Sequence, residues 1–438
     1  MQWKTADYAG WGRAVRARGT LARPERLPAL AAALAARGPA IGNRRSYGDA
    51  ALNAGGAAIQ MTRLDRLLSF DAETGVIEAE AGVTIAELLR LFAPRGWMPP
   101  VMPGTGFATL GGCIACDVHG KNHHGAGSFG QHVLAVTLMT DTGPRAVTPG
   151  TDPGLFRATM GGLGQTGAIL SARLQLRPIP GQRMRVVETR IPDFDAFIAA
   201  LDASTAEFAV GWVDATARRK RLGRGILEEG ELLDGSRPGP VRRAKSVPLD
   251  APGLLLSWPV IRLFNRWRLS RIPDSGRKRI RALDDFFFPL DALQDWNRLY
   301  GKRGFHQFQC VVPQDAAPAL REILAAIAKS GIASPLAVLK RMGPGRAGHL
   351  SFPMAGYTLA VDLPARKTRA APLYARLEDM VQAAGGRLYL AKDALARPGT
   401  IAAMYPELDA WRAEIARADP EGHMTTDLMR RLKLRSAA

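Results

Sequence analysis

Apolar positions along this chain follow two different periods, and the switches between them mark out its elements. Leu and Ala recur at helical spacing in PERLPALAAALAAR (24–37), a run closed by Gly38. In TIAELLRLFAPRG (84–96), Thr84 and Glu87 stand at the spacing of a capping box, which satisfies free backbone N–H groups where a helix starts. GVIEAEAGV (75–83) reads as a strand. HVLAVTLMTDTGPRAVTP (132–149) reads as two strands about a turn at Thr142 and Gly143, and GGLGQTGAILSARLQLRP (161–178) as a glycine loop followed by a strand with alternating apolar positions. These elements predict one α+β domain with several glycine-rich loops.

After about residue 184 the texture changes. Between 216 and 282 the periodicity is weak and the residues are basic and proline-containing, which predicts a mobile region. Order returns from 283: FHQFQCVVP (305–313) and YTLAVDLP (357–364) read as strands, APALREILAAIAKSG (317–331) and LYARLEDMVQAAGG (373–386) as helices, and RLYLAKD (387–393) as a final strand. Gln307 and Gln309 face one side of their strand, while Cys310 faces the core. The segment 405–434 reads as helix and then loop. No internal repeat is present.

Composition adds bounds. A chain of 438 residues, 47% hydrophobic and 23% charged, predicts a globular protein of two domains. Three cysteines (Cys113, Cys116, Cys310) supply no disulfide framework and fit a reducing compartment. No signal-peptide-like stretch stands at the start and no run of about 18 apolar residues occurs, so a cytoplasmic protein without a transmembrane span is expected. The charge changes the picture more. Lys and Arg exceed Asp and Glu by 59 − 40 = 19, and 262–281 holds eight basic residues against Asp274 alone; further clusters are RRKR (218–221) and VRRAK (241–245). A basic stretch with Trp258, Phe264 and Trp267 suits an anionic partner, either a membrane surface or nucleic acid, although a solubilising surface has the same composition. Neither a helix-turn-helix pattern nor an RNP-like strand accompanies it, so no nucleic-acid partner is expected.

The candidate chemistry lies in GGCIACDVHGKNHHGAGSFG, where Cys113 and Cys116 precede His119, His123 and His124. Such a run could hold zinc, but the cysteines sit among Ile, Ala and Val, and no hairpin or helix separates the two sets of ligands. Nearby PGTGFATLGG, GNRRSYGD (42–49) and GGLGQTG (161–167) form three glycine loops whose backbone amides can approach a large phosphate-bearing ligand.

Together GNRRSYGDAALNAGG, PGTGFATLGGCIACDVHGKNHHGAGSFGQHV and GGRLYLAKD resemble the FAD-linked oxidases of the vanillyl-alcohol oxidase and p-cresol methylhydroxylase superfamily, and within it the flavin half of the two-enzyme epimerases of polyprenylphosphoryl sugars. The resemblance implies no metal. It implies a two-domain vanillyl-alcohol-oxidase-like FAD-binding fold of the α+β class: an FAD-binding domain over 1–183 completed by 387–438, and a substrate domain over 184–386 built on an antiparallel sheet. Contacts to FAD would fall on Arg45, Ser46, Tyr47, Gly48 and Asp49, on Gly104, Thr109, Gly111, Gly112, Cys116, Asp117 and His119, and on Ile169 and Tyr389. Related sugar-alcohol oxidases link a histidine covalently to the flavin where this chain has Arg45, so noncovalent FAD is expected. Arg44 stands where the epimerase oxidases have glycine.

The implied reaction is oxidation of the ribose 2′-hydroxyl of a polyprenylphosphoryl-β-D-ribose to a keto sugar, the first half of an epimerisation toward the arabinose donor of cell-envelope glycans. A separate NAD(P)H-dependent reductase would complete it. Lys392, His119 and Lys121 are the catalytic candidates, Lys121 toward the substrate phosphate, and Tyr300, Gln307, Gln309 and Lys340 the substrate pocket. A lipid-linked substrate gives the basic region a motive: docking at the inner membrane, with the periplasmic side left open. A soluble sugar-alcohol or aldonolactone oxidase of the same FAD fold is the alternative.

Overall fold

The structure, a computed structural model, describes residues 2–35, 37–140, 143–239, 244–365 and 370–435. Thr142 of the expected turn, and Arg242 and Arg243 of the third basic cluster, lie outside them. Two smaller sheets occupy the first part of the chain. One orders Lys4–Ala9, Arg16–Ala22, Ala57–Gln60 and Ala40–Ile41; the other is antiparallel, in the order Leu67–Phe70, Val76–Glu80, Ala168–Gln175, Val133–Thr140 and Gly143–Val147. The capping box is present: Thr84 and Glu87 start the helix Ile85–Phe92, whose Ile85, Leu88, Leu89 and Phe92 are buried. The helix expected over 24–37 is shorter, Leu27–Leu34, with Pro28 in its first turn.

The rest is organised by an antiparallel sheet ordered Arg277–Ala282, Arg183–Ile191, Gly225–Leu232, Phe208–Val213, Ala337–Met342, Gly356–Pro364, Phe305–Val312 and Arg387–Leu388. Its two faces differ in chemistry because side chains alternate along each strand. Phe308, Cys310, Val312, Leu339, Leu359, Val361 and Leu363 join one core under the helices Phe194–Ala203, Ala317–Lys329 and Ala370–Ala383. Gln307, Gln309, Lys340, Thr358 and Asp362 occupy the alternate positions. That polar face meets the glycine loops.

Much of 216–282, where loops were expected, is ordered into secondary structure. It contains Gly225–Leu232, the helix Trp258–Ser270 and the edge strand Arg277–Ala282. A buried acid and a half-buried one explain why so basic a strand adds to a sheet. Glu188 takes Arg277 at 2.6 Å and Arg281 at 2.9 Å, and Glu228 takes Arg281 at 2.7 Å. Near the C-terminus a further short helix, Asp427–Leu432, forms where loop was expected, with the Thr426 side chain capping it.

The chain end closes on its beginning. Arg431 forms a bidentate pair with Asp49 at 2.7 and 2.8 Å and reaches Asp393 at 2.8 Å, while the Tyr47 N–H donates to the Ala391 carbonyl at 3.2 Å. Lys392 is thereby held between the first loop and the large sheet.

Candidate active site

Three glycine-rich segments converge on one cleft. Gly42, Thr109, Gly111, Gly112, Gly164, Gly167 and Ile169 line it together with Ala40, Ile41, Met61, Ala81 and Ala115, and it measures about 370 Å³ including its open mouth. Thr109 opens the helix Leu110–Ala115 by accepting from the Gly112 N–H at 3.2 Å. Side chains are excluded sterically: a Cβ on Gly111 would lie 2.8 Å from that of Ala81, and one on Gly42 2.5 Å from Thr109 Oγ1. A narrow cleft walled by backbone suits a nucleotide and its pyrophosphate. Gly104 faces open space.

The loop 42–49 carries Arg44 at φ +50°, in the left-handed region where glycine is unstrained and arginine is not, so its conformation is the one a glycine would take without cost. Next to it the Arg45 guanidinium stacks between Trp11 (4.0 Å) and Phe107 (4.6 Å), and its buried Nε has no partner. The Ser46 hydroxyl meets the Cys116 thiol, whose pKa burial raises to about 11. Tyr389 donates to the Cys116 carbonyl at 3.1 Å, and its ring stacks on Phe352 and flanks His119.

On the polar face of the sheet, Gln307 Nε2 donates to Asp362 Oδ1 at 2.6 Å and Tyr300 OH to Asp362 Oδ2 at 3.1 Å. Tyr47 joins through Gln307, and Lys392 Nζ stands 3.7 Å from the centre of the Tyr47 ring. Burial lowers the Lys392 pKa to about 8 against the opposing pull of Asp362, and raises that of Asp362 to about 7. His119 Nε2 lies 3.1 Å from Gln309 Nε2; burial and the neighbouring Lys340 hold its pKa well below 6.5, and its Nδ1 is buried without a partner. Lys340 Nζ reaches the Gly120 carbonyl at 3.3 Å, and burial, with Lys121 and Lys392 nearby, lowers its pKa to about 7. Glycines that bare the cleft and the unpartnered Arg45 Nε and His119 Nδ1 make these residues a fit for FAD.

Three expected contacts are otherwise engaged. The Lys121 ammonium, expected at a substrate phosphate, is held by Glu228 at 2.9 Å and the Phe286 carbonyl at 2.6 Å, because a buried cation takes the carboxylate beside it. Asp49 is occupied by Arg431. The fully buried Asp117 carboxylate accepts from the Gly130 N–H, the Ala347 N–H and the Ser351 hydroxyl, so it fastens loops together. His123 Nδ1 accepts from the Gly343 N–H and His124 Nε2 faces the Ala206 carbonyl. Among the described residues no group of three or more His, Cys, Asp or Glu is placed to hold a metal.

Sequence reasoning passed over Asp362, Trp11, Phe107 and Phe352. Asp362 could have been found: it is the one acid of YTLAVDLP, on the same alternation as Thr358, and its register partner is Gln307.

Lys340 yields a stability prediction. Unfolded, it keeps its proton to about pH 10.5; folded, it loses it above about pH 7. The folded state therefore binds fewer protons in this window, so its stability rises with pH there and the burial penalty is complete below pH 7. Lys340→Met is expected to raise the Tm of the ligand-free protein most below pH 7 and least near pH 10.5. Equal gains in thermal melts across that range would sink the assignment.

Comparison with known proteins agrees with the cleft. Residues 26–149 match the FAD binding domain family. The chain is 38% identical over 404 residues to the decaprenylphosphoryl-beta-D-ribose oxidase of Mycolicibacterium smegmatis, covering 89% of this chain and 88% of that protein. It is 36% identical over 368 residues to an uncharacterized protein of Streptomyces coelicolor, covering 80% of this chain and all of that one. An L-gulonolactone oxidase of Scyliorhinus torazame is 29% identical over 27% of each chain.

Proposed function

From the premise that this chain belongs to the FAD-linked oxidase family that includes decaprenylphosphoryl-beta-D-ribose oxidase, we propose that it oxidises the ribose 2′-hydroxyl of a polyprenylphosphoryl-β-D-ribose, with FAD bound noncovalently. It is an FAD-dependent oxidoreductase. The observation that carries the substrate reading is the polar face of Tyr300, Gln307, Gln309, Lys340 and Lys392, set against the glycine cleft in a chain similar to that oxidase along nearly its whole length.

FAD, when bound, supplies the hydride acceptor. The protein's part is to orient and to manage protons. Lys392 Nζ, between Tyr47 and Asp362, holds the sugar hydroxyl. Gln307 and Gln309 present amides from one strand face to the remaining hydroxyls. His119, kept neutral by burial, accepts the Gln309 amide N–H at Nε2, so its own proton sits on Nδ1 as a donor toward the site. Lys340 takes over the phosphate role expected of Lys121, an arriving anion restoring the charge that burial suppresses. The keto sugar is then handed to an NAD(P)H-dependent reductase, completing an epimerisation in cell-envelope synthesis.

The lactone-oxidase reading has less behind it. Arg45 stands where those oxidases are expected to carry a flavin-linked histidine, and the likeness covers about a quarter of the chain. A visible absorption spectrum tests the two, taken before and after denaturation and filtration. Yellow filtrate, and bleaching of the anaerobic holoenzyme by a prenylphosphoryl ribose, are expected. Flavin retained on the chain, with bleaching by an aldonolactone instead, would overturn the proposal.

Asp362→Asn tests the polar face. Lys392 loses its counter-charge and its pKa falls below about 8, so the alkaline limb of the kcat/KM profile moves to lower pH. A profile that stays in place would remove Asp362 from the site.

A further inference from the structure

The helix Trp258–Ser270 carries two apolar stripes. The inner one is buried at Ile261 and Leu269, with Asn265 between them donating to Asp214 at 2.8 Å. Trp258 and Ile261 pack in one cluster with Leu256, Trp296, Tyr300 and Phe305, and Tyr47 lies at its margin. Tyr47 and Tyr300 are site residues, so one continuous hydrophobic cluster joins this helix to the site.

The outer stripe has no cover. Val260, Leu263, Phe264 and Trp267 recur at i, i+3, i+4 and i+7 and are 38%, 70%, 39% and 53% exposed. The turn leading into the helix adds Leu254 at 74% and Leu255 at 50%. Arginines border the ridge: Arg262 lies over Trp258 at 4.9 Å, Arg271 over Trp267 at 5.2 Å, and Arg266 follows one turn after Arg262. No acid falls between Asp250 and Asp274. Among the described residues no helix is long and apolar enough to cross a membrane.

An isolated exposed leucine needs no explanation, but a contiguous ridge of this kind does. Leucines and tryptophan bordered by arginines are the build of a helix that lies in the headgroup layer of an anionic bilayer. Nucleic acid would be met by phosphate contacts, for which a leucine ridge has no use. A second copy of the chain would bring arginine borders of like charge together.

We propose that the face built by Leu254, Leu255, Leu263, Phe264 and Trp267 with Arg262 and Arg266 seats the enzyme on an anionic bilayer, on the helix whose inner side packs into the cluster that reaches the site. That this brings the site to a lipid-linked sugar phosphate rests on the polyprenylphosphoryl reading; the docking itself does not.

The test is co-sedimentation of the holoenzyme with vesicles. Vesicles of equal parts phosphatidylcholine and phosphatidylglycerol should bind it about tenfold or more better than phosphatidylcholine alone. Leu263→Ser with Trp267→Ser, and separately Arg262→Gln with Arg266→Gln, should each weaken binding by about tenfold while flavin content and Tm hold. Wild type that stays in the supernatant, or variants that bind as wild type does, would overturn the proposal. So would a wild-type dimer that the Leu263/Trp267 variant splits without any vesicle binding. Turnover of a short-tailed, water-soluble prenylphosphoryl ribose separates the two readings. Vesicle binding without that turnover supports docking and sinks the substrate reading. Turnover without vesicle binding sinks docking alone.

Discussion

Lys392→Met is expected to lower kcat by about 10²–10³-fold while FAD remains bound, the loss that follows when a single charged donor leaves a water-poor site. The side chain is suited to this test because its ammonium stands over the Tyr47 ring and has Asp362 as its opposing charge, whereas the glycine cleft is built from other residues. Removing it should therefore leave cofactor content nearly unchanged and weaken substrate binding far less than it slows the oxidation. The measurement is single-turnover bleaching of the flavin under anaerobic conditions. A variant that bleaches at the wild-type rate would show that Lys392 does no more than fill space, and the proposed handling of the hydroxyl would fall with it. Methionine is chosen because it keeps the length and bulk of the stem, so a loss reports the charge.

The second large effect is expected from Gly48→Ala. The added Cβ would lie 1.7 Å from the Asp393 carbonyl oxygen and 3.0 Å from the Ala394 Cβ. Neither neighbour can yield, because the Asp393 carboxylate accepts from the Tyr374 hydroxyl and the Leu395 and Ala396 N–H groups. Overpacking against a backbone this well fixed costs about 3 kcal/mol. The displaced loop carries Gly42, which lines the cleft, and Arg45 beside it, so the variant should lose FAD on gel filtration as well as melting earlier. Wild-type flavin retention would mean that the loop and the 391–394 segment move independently.

The sheet chemistry was legible in the sequence because a period of two sorts side chains onto faces without further information. Gln307 and Gln309 could be assigned to one side and Cys310 to the other before any partner strand was known. The capping box at Thr84 was equally local. What the chain did not disclose depended on pairing across long separations. The basic run at 277–282 looks like loop until Glu188 and Glu228 are brought beside it, and Lys121 looks free until Glu228 reaches it. Asp49 and Asp117 sit in glycine-rich motifs that do approach the cleft, but their carboxylates turn toward Arg431 and toward the Gly130 and Ala347 amides. A motif locates a backbone; it does not say which way each side chain in it points. Arg44 is the converse case, where a departure from glycine marked a position whose positive φ the structure then displayed.

The closure of the chain end on its beginning has a consequence for synthesis. Asp49 and Arg431 are 382 residues apart, and the pair they form fixes both the first glycine loop and the segment that bears Lys392. While the ribosome is still adding residues, the N-terminal sheets can form but the last wall of the pocket does not yet exist. Flavin capture must then wait until Arg431 has been made and has reached Asp49, and every nascent copy passes through a stage in which its polar sheet face and glycine cleft stand open to water and to other chains.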